Sequence, residues 1–238
     1  MRAGASSAAG LWPLPLVGGL VPALAALAAL GLSVALELVP PCNPLLDGCI
    51  SISRAARHDL PNHVFRALVL PSAVVQAATW ILCTAWLRGA GADPRGIVRV
   101  LPALGVAAGI FLVLYGTFLG TEGQAYRWMR RYGVIFYFGF TYLAMLIASG
   151  VLWRLARDDA MAVPAWLDRW LVALCAITLV IGLAHVFVPL LLESEDLKNR
   201  LENLAEWYVG LDFTLYFVAL AWLWRSACFR AQLVSGTS

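Results

Sequence analysis

Val100-Leu-Pro-Ala-Leu-Gly-Val-Ala-Ala-Gly-Ile-Phe-Leu-Val-Leu-Tyr-Gly-Thr-Phe-Leu-Gly120 carries no charged side chain. As a helix rising 1.5 Å per residue it is about 31 Å long, the thickness of a bilayer's hydrocarbon core. Five further stretches are apolar along their length: Leu11–Leu36, Ala67–Leu87, Tyr132–Trp153, Trp170–Leu192 and Trp207–Trp224, the last with one charged residue, Asp212. Trp and Tyr stand at many of their ends, where amphipathic rings favour the membrane interface. The fold class that follows is all-α, a polytopic membrane protein built as a six-transmembrane-helix bundle in a single domain.

Composition agrees. Of 238 residues, 61% are hydrophobic and 13% charged, against ~25% charged in soluble domains. This excludes disorder, a secreted disulfide scaffold and an ordinary soluble enzyme, and it leaves no room for a separate soluble domain. The formal charge of +3 comes with Arg in great excess over Lys. That bias fits a GC-rich genome and gives no reason to expect nucleic-acid binding. Arg2 before an apolar run also looks like a secretory signal. The run exceeds the usual ~7–15-residue signal core, so a retained first helix is expected.

Lys and Arg divide nine against eight between the two sides, so the positive-inside rule gives no orientation. Cys42 and Cys49 share one Pro-bounded loop. A disulfide between them suits an oxidising compartment, which places loops 37–66, 121–131 and 193–206 outside and both termini in the cytoplasm; reduced, unpaired thiols are the alternative. The expected location is a bacterial inner membrane or a eukaryotic endomembrane.

The sixth helix should begin before the membrane, at about residue 195, and run to 225. Leu197, Leu201, Leu204, Tyr208, Leu211 and Leu215 repeat at helical spacing and form one apolar face. Glu195, Glu202 and Glu206 cluster on the opposite face, flanked by Asn199 and Asn203. Such a stripe is either a solvated face or a partner for a basic loop or ligand headgroup. Ser194 is a fitting N-cap.

Ser51-Ile52-Ser53, a proline, then Phe65-Arg66 opening the second helix resembles the Frag/DRAM/Sfk family of six-helix membrane proteins. That family includes the Golgi protein for lipid remodelling of GPI anchors. Asn203-Leu204-Ala205-Glu206-Trp207 is similar to the acidic-aromatic element that opens the family's last helix, and the aromatic fourth helix fits too. The resemblance covers about residues 12–225. Arg54-Ala55-Ala56-Arg57 departs from it where members often have a glycine, and the cysteine pair is not expected of the family. The resemblance implies cytoplasmic termini and lipid work at the outer or lumenal leaflet, without establishing catalysis.

The candidate site follows from these segments. The Ser51–Arg66 connection and Asn203–Trp207 should meet at the external end, one offering cations and hydroxyls and the other carboxylates and amides. Arg66 has a planar fork suited to a phosphate; the alternative is snorkelling, or a structural salt bridge to Glu206. Ser51, Ser53 and Glu122 complete the headgroup-binding set. His63 and Glu206 are the candidate bases for acyl transfer. Asp212, inside an apolar stretch, is costly there and by default functional; a hydroxyl partner is the structural alternative. Arg127, Arg130 and Arg131 with Tyr126 and Trp128 form a basic-aromatic turn suited to anionic headgroups. His185 stands alone on its helix, and His58 and His63 lack HExxH-type spacing. No GxSxG elbow is present. Neither a metal nor a cofactor is expected. The expected partners are membrane lipids with an anionic or phosphate-bearing headgroup. The expected function is lipid handling that supports remodelling, including acyl transfer; the alternative is a non-catalytic lipid-sensing scaffold or transport subunit.

Overall fold

The structure is a computed structural model that describes residues 9–91, 96–158 and 164–231. Arg2, the signal-like start, and Arg95 of the charge tally lie outside the described residues. Among the described residues, six helices are long and apolar enough to cross a membrane. They are α1 (Pro13–Ala35), α4 (Asp59–Gly89), α5 (Leu101–Phe118, preceded by a 3-10 turn at Ile97–Val100), α6 (Gln124–Arg157), α7 (Ala165–Leu191) and α8 (Glu195–Ser226). Two short helices, α2 (Pro44–Asp47) and α3 (Ile52–Ala55), fold the long connection after α1.

The long helices form a ring in chain order, α1–α4–α5–α6–α7–α8, closed where α8 packs on α1. Short strands β1 (Ala9–Gly10) and β2 (Arg230–Ala231) pair antiparallel, setting residues 9–10 against 230–231. The side chain of Arg225 stacks over Trp12 beside them. One end of the bundle is thus the terminal end. The other, the loop end, carries α2, α3 and the turns after α5 and α7.

Packing tightens toward the terminal end. Trp80, Tyr216, Phe217 and Trp224 fill the interior there. The Tyr216 hydroxyl donates to the Met145 carbonyl at 3.0 Å and meets Ser149, fastening α8 to α6. Along α5, small residues admit the neighbouring helix. A Cβ on Gly105 would lie 2.5 Å from that of Trp80. Close approach through small residues is how helices associate where lipid offers no hydrophobic drive.

The apolar runs mark the helices' hydrocarbon-embedded parts but not their ends. α4 starts at Asp59, so His63 and Arg66 lie on a helix and not in the connection expected to run to residue 66. α6 starts at Gln124, so the basic-aromatic segment expected as a turn over 121–131 is largely helical. Polar residues extend a helix beyond the bilayer without interrupting its backbone bonding, and hydropathy does not register them.

α8 also turns its faces differently from a soluble helix. Leu197, Leu211, Leu215 and Tyr208 are exposed, whereas Asn203, Trp207, Asp212 and Phe213 are buried. The leucine face looks outward because hydrocarbon receives it. Polar side chains turn inward, where protein partners satisfy them. The acidic stripe divides: Glu195 is exposed and pairs with Lys198, while Glu206 turns into the bundle.

At the loop end α7 stands away from its neighbours. Leu183, Val186, Phe187, Leu190 and Leu191 are all exposed, and so is His185.

Candidate functional site

The connection between α1 and α4 is a folded cap. Cys42 and Cys49 are disulfide-bonded, with Cα atoms 6.6 Å apart. Asn43 caps α2 by accepting from the Leu45 N–H, and Ser51 caps α3 by accepting from the Arg54 N–H. Gly48 adopts φ +59°, and a Cβ there would meet the Arg200 carbonyl at 2.5 Å. Only glycine lets the cap lie this close to α8.

The polar face of α8 grips this cap. The Asn203 amide donates to the Gly48 carbonyl at 2.7 Å, and the Trp207 indole donates to the Ile50 carbonyl at 2.9 Å. Both side chains are buried. Glu206, one turn beyond Asn203, accepts two hydrogen bonds from one residue: the Ser53 hydroxyl at 2.7 Å and the Ser53 N–H at 3.0 Å. The Ser51 hydroxyl also faces this carboxylate. The expected meeting of the Ser51–Arg66 segment with Asn203–Trp207 is therefore what the structure contains.

A third group joins from α5. The Tyr115 hydroxyl lies 2.9 Å from Ser53 Oγ. Because the Ser53 proton goes to Glu206, the Tyr115 proton goes to Ser53. The chain is Tyr115 O–H to Ser53 O–H to Glu206, linking α5, α3 and α8.

This cluster roofs an apolar cavity of about 240 Å³ inside the ring. Ala26, Phe65, Leu112, Phe138 and Phe213 contribute to its wall, and Tyr115 and Glu206 reach it from the loop end. Deeper polar groups are few. Gln76 donates to the Gly18 carbonyl at 2.7 Å, which ties α4 to α1, and Tyr137 of α6 also lines the cavity. Leu27 and Leu211 line the cavity and are also exposed at the outer surface. The cavity therefore opens sideways between α1 and α8.

The other residues singled out from the sequence lie apart from this cluster. His63 is exposed, its ring Nδ1 2.8 Å from the Asp59 carbonyl one turn back. Arg66 is half-buried on the α4 row that includes Asn62 and Leu70. Asn62 bonds the Leu119 carbonyl, and Leu70 packs at Gly116. Arg66 thus follows the α4–α5 seam and does not line the cavity. Among the described residues it forms no ion pair with Glu206. Glu122 is exposed in the turn after α5. Asp212 is buried and accepts from the Thr178 hydroxyl of α7, so it ties α8 to α7. No group of three or more His, Cys, Asp or Glu side chains among the described residues is placed to hold a metal ion.

Tyr115 was not legible as a site residue. It lies in the charge-free stretch that decides the fold, and only its hydroxyl distinguishes it there.

Comparison of the chain with protein-family models, with characterised proteins and with solved structures finds no match.

Proposed function

We propose that this chain binds a membrane lipid, with an acyl chain in the cavity and the headgroup at the loop end, and supports remodelling of that lipid. One observation carries the reading: an apolar cavity, open sideways between α1 and α8, is roofed at one end by the half-buried Tyr115–Ser53–Glu206 cluster. Ligand sites are mostly apolar with a few converging polar groups. In a bilayer, acyl chains lie against that lateral opening. The resemblance to the Frag/DRAM/Sfk family points the same way.

Acyl transfer is the reaction this cluster favours. Ser53 Oγ attacks the carbonyl carbon of an ester-linked acyl chain while Glu206 takes the hydroxyl proton. The lipid alcohol leaves and carries that proton away. The serine ester then passes its acyl group to an acceptor alcohol or to water, whose proton returns through Glu206 to Ser53. A non-catalytic lipid-sensing scaffold is the second reading. It is favoured by the other Glu206 bond, to the Ser53 N–H, which fastens α3 to α8 whatever the chemistry.

The loop end is assigned to the external or lumenal side and the termini to the cytoplasm, because the disulfide belongs in an oxidising compartment. A bacterial inner membrane or a eukaryotic endomembrane meets that condition.

Mass spectrometry of co-purified lipid, before and after incubation with acyl donors, tests the function. A changed acyl pattern in the wild type that is lost in Ser53→Ala and Glu206→Gln supports the enzyme. Bound lipid that stays unchanged supports the scaffold. Protein that carries no lipid contradicts both.

A further inference from the structure

Arg57 follows α3 and packs its backbone on the turn after α5. A Cβ on Gly120, at φ +85°, would lie 2.4 Å from the Arg57 carbonyl. Its Nε–H is buried without a hydrogen-bond acceptor among the described residues. Arg130 comes to the same place from α6. Gly133, nearly one turn further on, packs on the α5 backbone so closely that a Cβ would lie 2.9 Å from the Tyr115 nitrogen. Arg130 is thereby set beside the loop end of α5, half-buried.

The two guanidinium groups lie within electrostatic range of each other, and both lie within range of the Tyr115 hydroxyl. No carboxylate among the described residues pairs with either; the ion pairs described there are Lys198–Glu195 and Arg200–Asp196. Glu206 is held by Ser53, and the cation nearest in influence to it is Arg54. A buried donor without an acceptor and like charges within electrostatic range of one another are both unfavourable alone. A bound anion removes both costs at once. The planar guanidinium fork matches the oxygens of a phosphate.

We propose that Arg57 and Arg130 form a binding site for a phosphate group, carried by the amphiphile whose chain fills the cavity. Tyr115 joins the two parts, since it lines the cavity and lies within electrostatic range of both arginines. The position of the chain rests on the lipid reading above; the anion site does not.

The test is titration calorimetry in uncharged detergent, on wild type, Arg57→Gln and Arg130→Gln. The probes are dihexanoyl phosphatidate, dihexanoylglycerol and inorganic phosphate. Wild type should bind the phosphatidate at least about tenfold more tightly than the matched diacylglycerol, the loss expected for a charge-assisted bond. Both variants should lose that preference. Arg130 has no hydrogen-bond or ion-pair partner among the described residues, so Arg130→Gln should not lower the melting temperature of the ligand-free protein. It carries the test if Arg57→Gln fails to fold. Phosphate binding as tightly as phosphatidate, and weakening in both variants, would support the anion site and remove the lipid as its source. Equal wild-type affinity for the two dihexanoyl lipids would overturn the proposal and leave the lipid reading standing. So would an undiminished preference in Arg130→Gln. Binding of none of the three would overturn both.

Discussion

Replacing Glu206 with alanine removes the acceptor of two Ser53 hydrogen bonds, at 2.7 and 3.0 Å, in a half-buried site. Hydrogen bonds to charged groups contribute roughly 1.5–3 kcal/mol each. The Ser53 hydroxyl retains Tyr115 as a partner, so the net loss is about 3 kcal/mol. Chains of 150–250 residues shift about 2–4 °C per kcal/mol, which gives a melting temperature lower by about 6–12 °C. Glutamine keeps a carbonyl oxygen at the same position. It should lose only the charge assistance, about 1 kcal/mol or 2–4 °C. Differential scanning fluorimetry of the three proteins in one detergent, with the disulfide intact, reads both shifts. An alanine variant within about 2 °C of wild type would show that the α3–α8 contact is not holding the cap. A glutamine variant as damaged as alanine would show that Glu206 answers to a cation and not to Ser53.

Three further outcomes follow from the same structure. Thiol alkylation with mass mapping should modify exposed Cys228 in native protein and leave buried Cys83 and Cys175 unmodified, with Cys42 and Cys49 reacting only after reduction; free thiols at 42 and 49 in freshly extracted protein would remove the disulfide. Thr178→Val strips the buried Asp212 carboxylate of its donor and should cost about 1–3 kcal/mol in thermal unfolding, most of it recovered when Asp212→Leu is added; additive losses would contradict the pairing. A reporter fused after Arg225 should lie on the cytoplasmic side, as should one fused at residue 9, because β1 and β2 pair; opposite locations would mean an odd number of crossings.

The bundle was legible in the sequence because a bilayer sets a length that apolar runs must match. Val100–Gly120 and its five counterparts could do little else. The ends of α4 and α6 were not, since Asp59–Arg66 and Gln124–Arg131 are polar yet helical. The meeting of the Ser51–Arg66 connection with Asn203–Trp207 was foreseen from complementary segments on one side of the membrane. The identity of the paired groups was not. Arg66 had the right type and the right level, but the helical row of Asn62 and Leu70 turns it along α5. The direction of the leucine face of α8 was not legible for a related reason: periodicity locates an apolar face without saying whether lipid or protein covers it. Tyr115 gave no signal because one hydroxyl in a long apolar helix has many ordinary uses.

The lipid reading requires an acyl chain in the cavity between α1, α4, α5, α6 and α8. A fatty acid bearing a terminal diazirine, photolysed in the presence of purified protein and mapped by peptide mass spectrometry, tests it most directly. Adducts should form on cavity residues such as Phe65, Leu112 and Phe213 and be abolished by Ala26→Phe, which places a ring in the space that Ala26 borders. Adducts confined to outward-facing positions such as Val74, Ile110 and Val180, unchanged by Ala26→Phe, would contradict it.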